Sequence, residues 1–110
     1  MSRDINETDW KLLRELFPIA LERLCGRILE EVQHIDTDAS KSAHQRYLDI
    51  YELMQRRDKE IARAFNDLRR STALIRLVTV LSQRLLTPDE FARFSPETQS
   101  FVEMLDRRPA

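Results

Sequence analysis

The sequence predicts an all-α fold in one domain spanning residues 1–110: a long antiparallel helical hairpin, a third helix and two short C-terminal helices, in a bundle that a second copy completes. Three observations carry this reading. The 110 residues include one Gly and four Pro, with 42% apolar and 34% charged side chains; that composition suits long helices and lacks the turn residues a multi-stranded sheet needs. Apolar residues recur at steps of three and four through most of the chain. Capping residues cluster at a few points, and these points divide the helices.

The first helix is expected over 8–35. Trp10, Leu13, Phe17, Leu21, Leu24, Ile28, Val32 and Ile35 keep one helical face for the whole stretch. Pro18 removes an N–H that would bond the Arg14 carbonyl, a defect of about 3 kcal/mol in an unbroken helix. Because the apolar phase crosses Pro18 unchanged, a kinked single helix fits better than two helices. The lone glycine, Gly26, stacks with Leu12 and Ile19 on another side, a thin strip where a second helix can approach.

Thr37, Asp38 and Ser40 are candidate N-caps for a second helix over 39–70. Its apolar repeat runs Ala43, Tyr47, Ile50, Met54, Ile61, Phe65 and Leu68, skipping a charged layer around Arg57 and Asp58. With the turn centred near residue 37 or 38, that layer lies opposite Pro18, and Arg57 is expected to donate to the carbonyl Pro18 leaves unpaired. Ser71 and Thr72 mark the break before a third helix over 72–86, although the sequence also permits one continuous rod. "TPDE" (87–90) and "SPET" (95–98) each place Pro at the first helical position after a hydroxyl cap, giving two short capping helices within 88–105.

Length drives the functional reading. The first two helices span roughly 40 to 48 Å and the third about 21 Å. Run back from the end of the second, the third covers Trp10 to Leu21 and Met54 to Leu68, leaving the hairpin tip bare. Leu24, Ile28, Leu29, Val32, Ile35, Tyr47, Ile50 and Tyr51 then form an apolar patch that calls for a partner. Two tips related by a two-fold axis make a four-helix bundle. The expected activity is that of a homodimeric protein-interaction or regulatory module: no enzyme, no cofactor, and itself or another protein as partner.

Two alternatives rest on particular residues. Glu31 and His34 have the Glu-x-x-His spacing that ferritin-like bundles use for a di-metal centre, and a dimer supplies a second copy. Glu31, however, lies about 60° and His34 about 120° off the core-facing stripe. The carboxylates of Asp49 and Glu52 are expected about 7 to 12 Å too far along the facing helix. His34 also suits the negative end of a helix without any metal. The second alternative is a nucleic-acid accessory factor. Net charge is −1, yet residues 54–84 hold eight basic and three acidic side chains, and Arg56, Arg57, Arg69 and Arg70 are its candidate anion contacts. The first 38 residues hold nine acidic and five basic side chains, so the two segments neutralise each other if they pack together. The third segment is too apolar for a recognition helix, and nucleic acid is not the expected partner.

His44 and Tyr47 sit one turn apart with no nucleophile in view. Cys25 reads as a small apolar residue at the edge of the stripe. One cysteine, a polar N-terminus and no long apolar run suggest a cytoplasmic protein without a membrane span.

Overall fold

A computed structural model describes residues 4–106, which fold into five helices: α1 (Glu7–Asp36), α2 (Ala43–Phe65), α3 (Ala73–Ser82), α4 (Pro88–Phe91) and α5 (Pro96–Asp106). No strand occurs among the described residues. Nor is any helix among them long and apolar enough to cross a membrane.

α1 starts where the Asn6 side chain accepts from the Asp9 N–H at 2.8 Å, and it runs through Pro18 as one helix. Pro18 and Arg14 are both exposed, so the carbonyl without its N–H lies on the wetted side. Arg57 does not reach it. The Arg57 guanidinium instead donates to Glu31 at 2.9 Å and Glu60 at 2.6 Å. That pairing corrects the expectation of an Arg57–Arg14 contact.

α2 is shorter than the 39–70 the sequence suggests. Asp38 accepts from the Ser40 N–H and hydroxyl, at 3.0 and 2.6 Å, closing a local turn in place of a helix start. The cap is Ser42, which accepts from the Gln45 N–H at 3.0 Å. At the far end Asp67 takes a left-handed φ of 61°, and the Thr72 hydroxyl donates to its carbonyl at 2.7 Å. The second and third helices are therefore separate. The later start moves the hairpin register by about one turn, because the centre of the connection shifts from residue 37 or 38 to between 39 and 40.

α3 also ends before the expected residue 86, without a glycine to announce it. Arg84 adopts the left-handed conformation at φ 57°. The Leu85 N–H bonds the Val80 carbonyl at 3.1 Å and the Arg84 N–H that of Leu81 at 2.9 Å, the pairing of a Schellman stop. Thr87 and Glu90 then form a full capping box at the start of α4.

The core is gathered at one end. Leu12, Leu13, Leu16, Phe17 and Ala20 of α1 join Leu74, Leu77 and Val80 of α3, with Leu85, Leu86, Phe94 and Val102 closing over them. α1 buries a face wider than the single stripe of the sequence reading because α2 lies on one side of it and α3 on another. α2 contributes little that is fully buried, Leu53 and Ala64 among the described residues, although its Phe65 ring lies 4.8 Å from that of Phe17. The strip of Leu12, Ile19 and Gly26 is covered only at Leu12, which lies in the core. Beyond Gly26's own stretch of helix, no described atom comes within 4 Å of where a Gly26 Cβ would sit, and Ile19 is exposed. At about 45 Å, α1 outruns the roughly 15 Å of α3 threefold, and the molecule measures 54 × 27 × 26 Å.

Candidate functional site

The far half of the hairpin has two unlike sides, set by where α2 residues fall around their helix. Leu53 and Ala64 face inward, so Met54 and Tyr47 stand roughly 100 to 120° round to one side with Tyr51 further round the same way, and Asp49, Arg56 and Glu52 roughly 40 to 100° round to the other.

The first side is apolar and open. Leu29 and Tyr47 are each 64% exposed, Tyr51 54% and Met54 45%. Next to them lies a recess of about 170 Å³ between the helices, lined by Cys25, Ile28, Leu29, Met54 and Ile61 with Arg57 and Asp58. Further down the same side a shallower recess of about 300 Å³ is lined by Phe17, Pro18, Leu21, Phe65 and Leu68 with Arg14. The uncovered apolar surface thus runs along the hairpin rather than only around its tip.

Of the interface residues expected from sequence, Leu24 and Ile28 are corrected: at 6% and 4% exposure they belong to the chain's own interior. The face α1 turns toward α2 and α3 covers them. Val32, Ile35 and Ile50 are half-buried between the helices. Leu29, Tyr47 and Tyr51 stand free, and Met54, which the third helix was expected to cover, stands free beside them. Leu48 is also exposed, pointing away from α1. His44 is exposed as well.

The second side is a wide polar groove of about 660 Å³, with Glu31, His34, Asp49, Glu52, Lys41 and Arg56 among its lining residues. The shifted register places Asp49 and Glu52 in the lining of the groove that holds Glu31 and His34, about one turn nearer than the expected 7 to 12 Å offset. The carboxylates nevertheless have other commitments. Asp49 accepts from Lys41 at 2.7 Å and Gln45 at 2.8 Å, and these bonds hold its pKa below the usual carboxylate value. Glu31 is tied to Arg57, whose own pKa is raised first by the bond it donates to Glu31 and then by the one it donates to Glu60. Among the described residues no three His, Cys, Asp or Glu side chains converge as a metal site.

The arginines proposed as anion contacts are mostly engaged within the chain. Arg69 pairs with Asp67 at 2.7 Å and Arg70 with Glu7 at 2.8 Å, while Arg57 holds Glu31 and Glu60. Arg56 is exposed and has no ion pair among the described residues. The acidic α1 and basic α2–α3 segments therefore offset one another through contacts such as Glu7–Arg70 and Glu31–Arg57.

Two polar clasps outside the hairpin tip carry no local signal of their pairing in the sequence. Asp9 is 1% exposed. Its carboxylate accepts from the Ser95 hydroxyl at 2.6 Å, the Thr98 hydroxyl at 2.5 Å, the Ser95 N–H at 3.1 Å and the Asn6 amide at 3.0 Å. Burial alone would raise its pKa, but the bonds from Ser95, Thr98 and Asn6 outweigh burial and lower it. The start of α1 is thereby fastened to the start of α5. In the second clasp Arg23 forks onto Glu90 at 2.6 and 3.0 Å and donates to the Leu85 carbonyl at 2.8 Å. Arg27 donates to the carbonyls of Gln83 and Arg84 at 2.7 and 2.6 Å. The Arg23 bond, helped by the Thr87 N–H against the opposing effect of burial, pulls the Glu90 pKa down to about 2. A Pro-headed helix start following Ser or Thr was the available signal for both ends, but the distant partner of each was not local in sequence.

The chain matches no known protein-family model, no curated protein and no solved structure.

Proposed function

We propose that the protein is a helical interaction module that pairs with a second copy of itself through the uncovered side of its hairpin, and that it works by binding rather than by catalysis. The observation that carries this reading is the row of exposed Leu29, Tyr47, Tyr51 and Met54 on one side of the two long helices. Large apolar side chains scattered singly need no explanation, but a contiguous row beside open apolar recesses does. A two-fold axis across that side would lay one hairpin on the other, so that each Leu29 meets apolar residues of its partner and four helices enclose what two leave open. Tyr47 and Tyr51 suit such a seam, since each adds apolar area with a hydroxyl that can stay wet at the rim. The mutual neutralisation of the charged segments favours a protein partner over nucleic acid. A reducing, cytoplasmic setting agrees with the unpaired thiol of Cys25.

Light scattering on the purified protein and on Leu29→Glu and Tyr51→Glu variants tests the reading. A dimer is expected for the natural sequence at micromolar concentration. Each variant should shift toward the monomer with unchanged helical circular dichroism, because both positions are exposed within one chain. A natural protein that stays monomeric at tens of micromolar refutes it.

A further inference from the structure

A second surface lies partway along α1, where α3 stops beside Arg23 and Arg27. An open groove of about 720 Å³ has Leu81, Leu86 and Phe91 in its lining, and Arg27 and Arg84 line it along with Glu103. Arg23 also borders it, but Glu90 meets that charge. Arg27 uses two of its five N–H donors on the main-chain carbonyls of Gln83 and Arg84. It forms no ion pair with a carboxylate among the described residues, and neither does Arg84. Two unmatched guanidinium groups therefore face one carboxylate across an apolar floor.

Arg84 is also the wrong residue for its own backbone. At φ 57° it occupies the left-handed position of the α3 stop, where glycine fits freely and another L-residue is disfavoured by roughly 1 kcal/mol. Its side chain is exposed, so burial of that side chain does not offset the cost. A strained position filled by a free charge at the edge of an apolar groove indicates a use for the charge.

We propose that this groove docks a segment of a partner protein carrying apolar anchors flanked by carboxylates, the anchors entering over Leu81, Leu86 and Phe91 and the carboxylates meeting Arg84 and Arg27. An open groove suits a row of side chains on a partner's helix better than a small molecule, which needs most of its surface enclosed. The apolar floor sets a peptide above a nucleic-acid backbone, whose phosphates would find no use for it.

Fluorescence anisotropy with a labelled helical peptide, Leu on one face and Glu on its flanks, tests this against the same peptide with Lys for Glu and against a single-stranded oligonucleotide. The Glu peptide should bind at least about tenfold more tightly than the Lys peptide and weaken as salt rises. Arg84→Gly should weaken that binding about tenfold while thermal stability holds or rises. Arg84→Glu should turn the preference toward the Lys peptide. Equal binding of the two peptides, an unaffected Arg84→Gly variant, or tighter capture of the oligonucleotide overturns the proposal. Repeating the titration in the Leu29→Glu background keeps the result independent of self-association.

Discussion

The two ends of this molecule solve the same problem by different means. At the end where α3 and α5 lie, a core of interlocking Leu, Val and Phe is closed by directed polar contacts, with Asp9 holding Ser95 and Thr98 and Arg23 holding Glu90. Along the far half of the hairpin two helices face each other with no third to cover them, and Leu29, Tyr47, Tyr51 and Met54 stay in water. A helix buries its apolar face only against another element, so a chain with two long helices and one short one finishes its core at one end and leaves the other uncovered. The contrast predicts that the same kind of substitution has opposite consequences at the two ends.

Truncation in the closed core should have the largest effect. Leu77→Ala, at a side chain fully enclosed by its neighbours, should cost about 2 to 5 kcal/mol in denaturant unfolding. A cost under about 1 kcal/mol would mean that end is as loose as the hairpin. Asp9→Ala comes next. It strips the acceptor from the Ser95 and Thr98 hydroxyls and from the Ser95 N–H, for an expected loss of about 2 to 3 kcal/mol. Faster amide exchange at the start of α5 should accompany it.

Acid gives the third contrast. Asp9 and Glu90 both have folded pKa values below their ordinary ones, Glu90 near 2. Their stabilisation is complete above the unfolded values of about 4, and it fades as pH falls through the folded values. Thermal midpoints should therefore drop between about pH 4 and pH 2, and Glu90→Gln should flatten part of that slope while costing about 1 to 2 kcal/mol near neutrality. A drop of equal size in Glu90→Gln would place the acid sensitivity elsewhere. The smallest effect expected is a gain: Gly26→Ala, mid-helix with open space around the new methyl, should stabilise by about 0.5 to 1 kcal/mol. A loss would mean that something does press on that strip.

Helix content and order were legible in the sequence because composition and three-to-four spacing are local signals. The helix ends were legible only where the capping residue had no competitor. Thr87 and Ser95 stood out, each followed by Pro, whereas Ser42 was masked by Asp38 and Ser40, whose bonds to each other close a turn. No glycine announced the stop at Arg84. One misplaced cap moves the hairpin register by a turn, which takes Arg57 away from the Arg14 carbonyl and brings Asp49 and Glu52 nearer the level of Glu31; the Arg57–Glu31 pair itself reaches along the helices and is not set by register alone. The Asp9–Thr98 and Arg23–Glu90 contacts join residues far apart in the chain, and no periodicity encodes such pairs. The uncovered hairpin was readable because it follows from helix lengths. Which of its residues stay exposed was not, since Leu24 and Ile28 share the stripe but are sheltered inside the bundle.

Amide hydrogen exchange of residues 29–54, followed across protein concentration from submicromolar upward, tests the central claim most directly. If a second copy covers the open side of the hairpin, protection there rises with concentration while that of α3 and the start of α5 stays constant. Protection in 29–54 that is the same at every concentration would show that the two helices stand alone, and the contrast between the ends would carry no meaning for function.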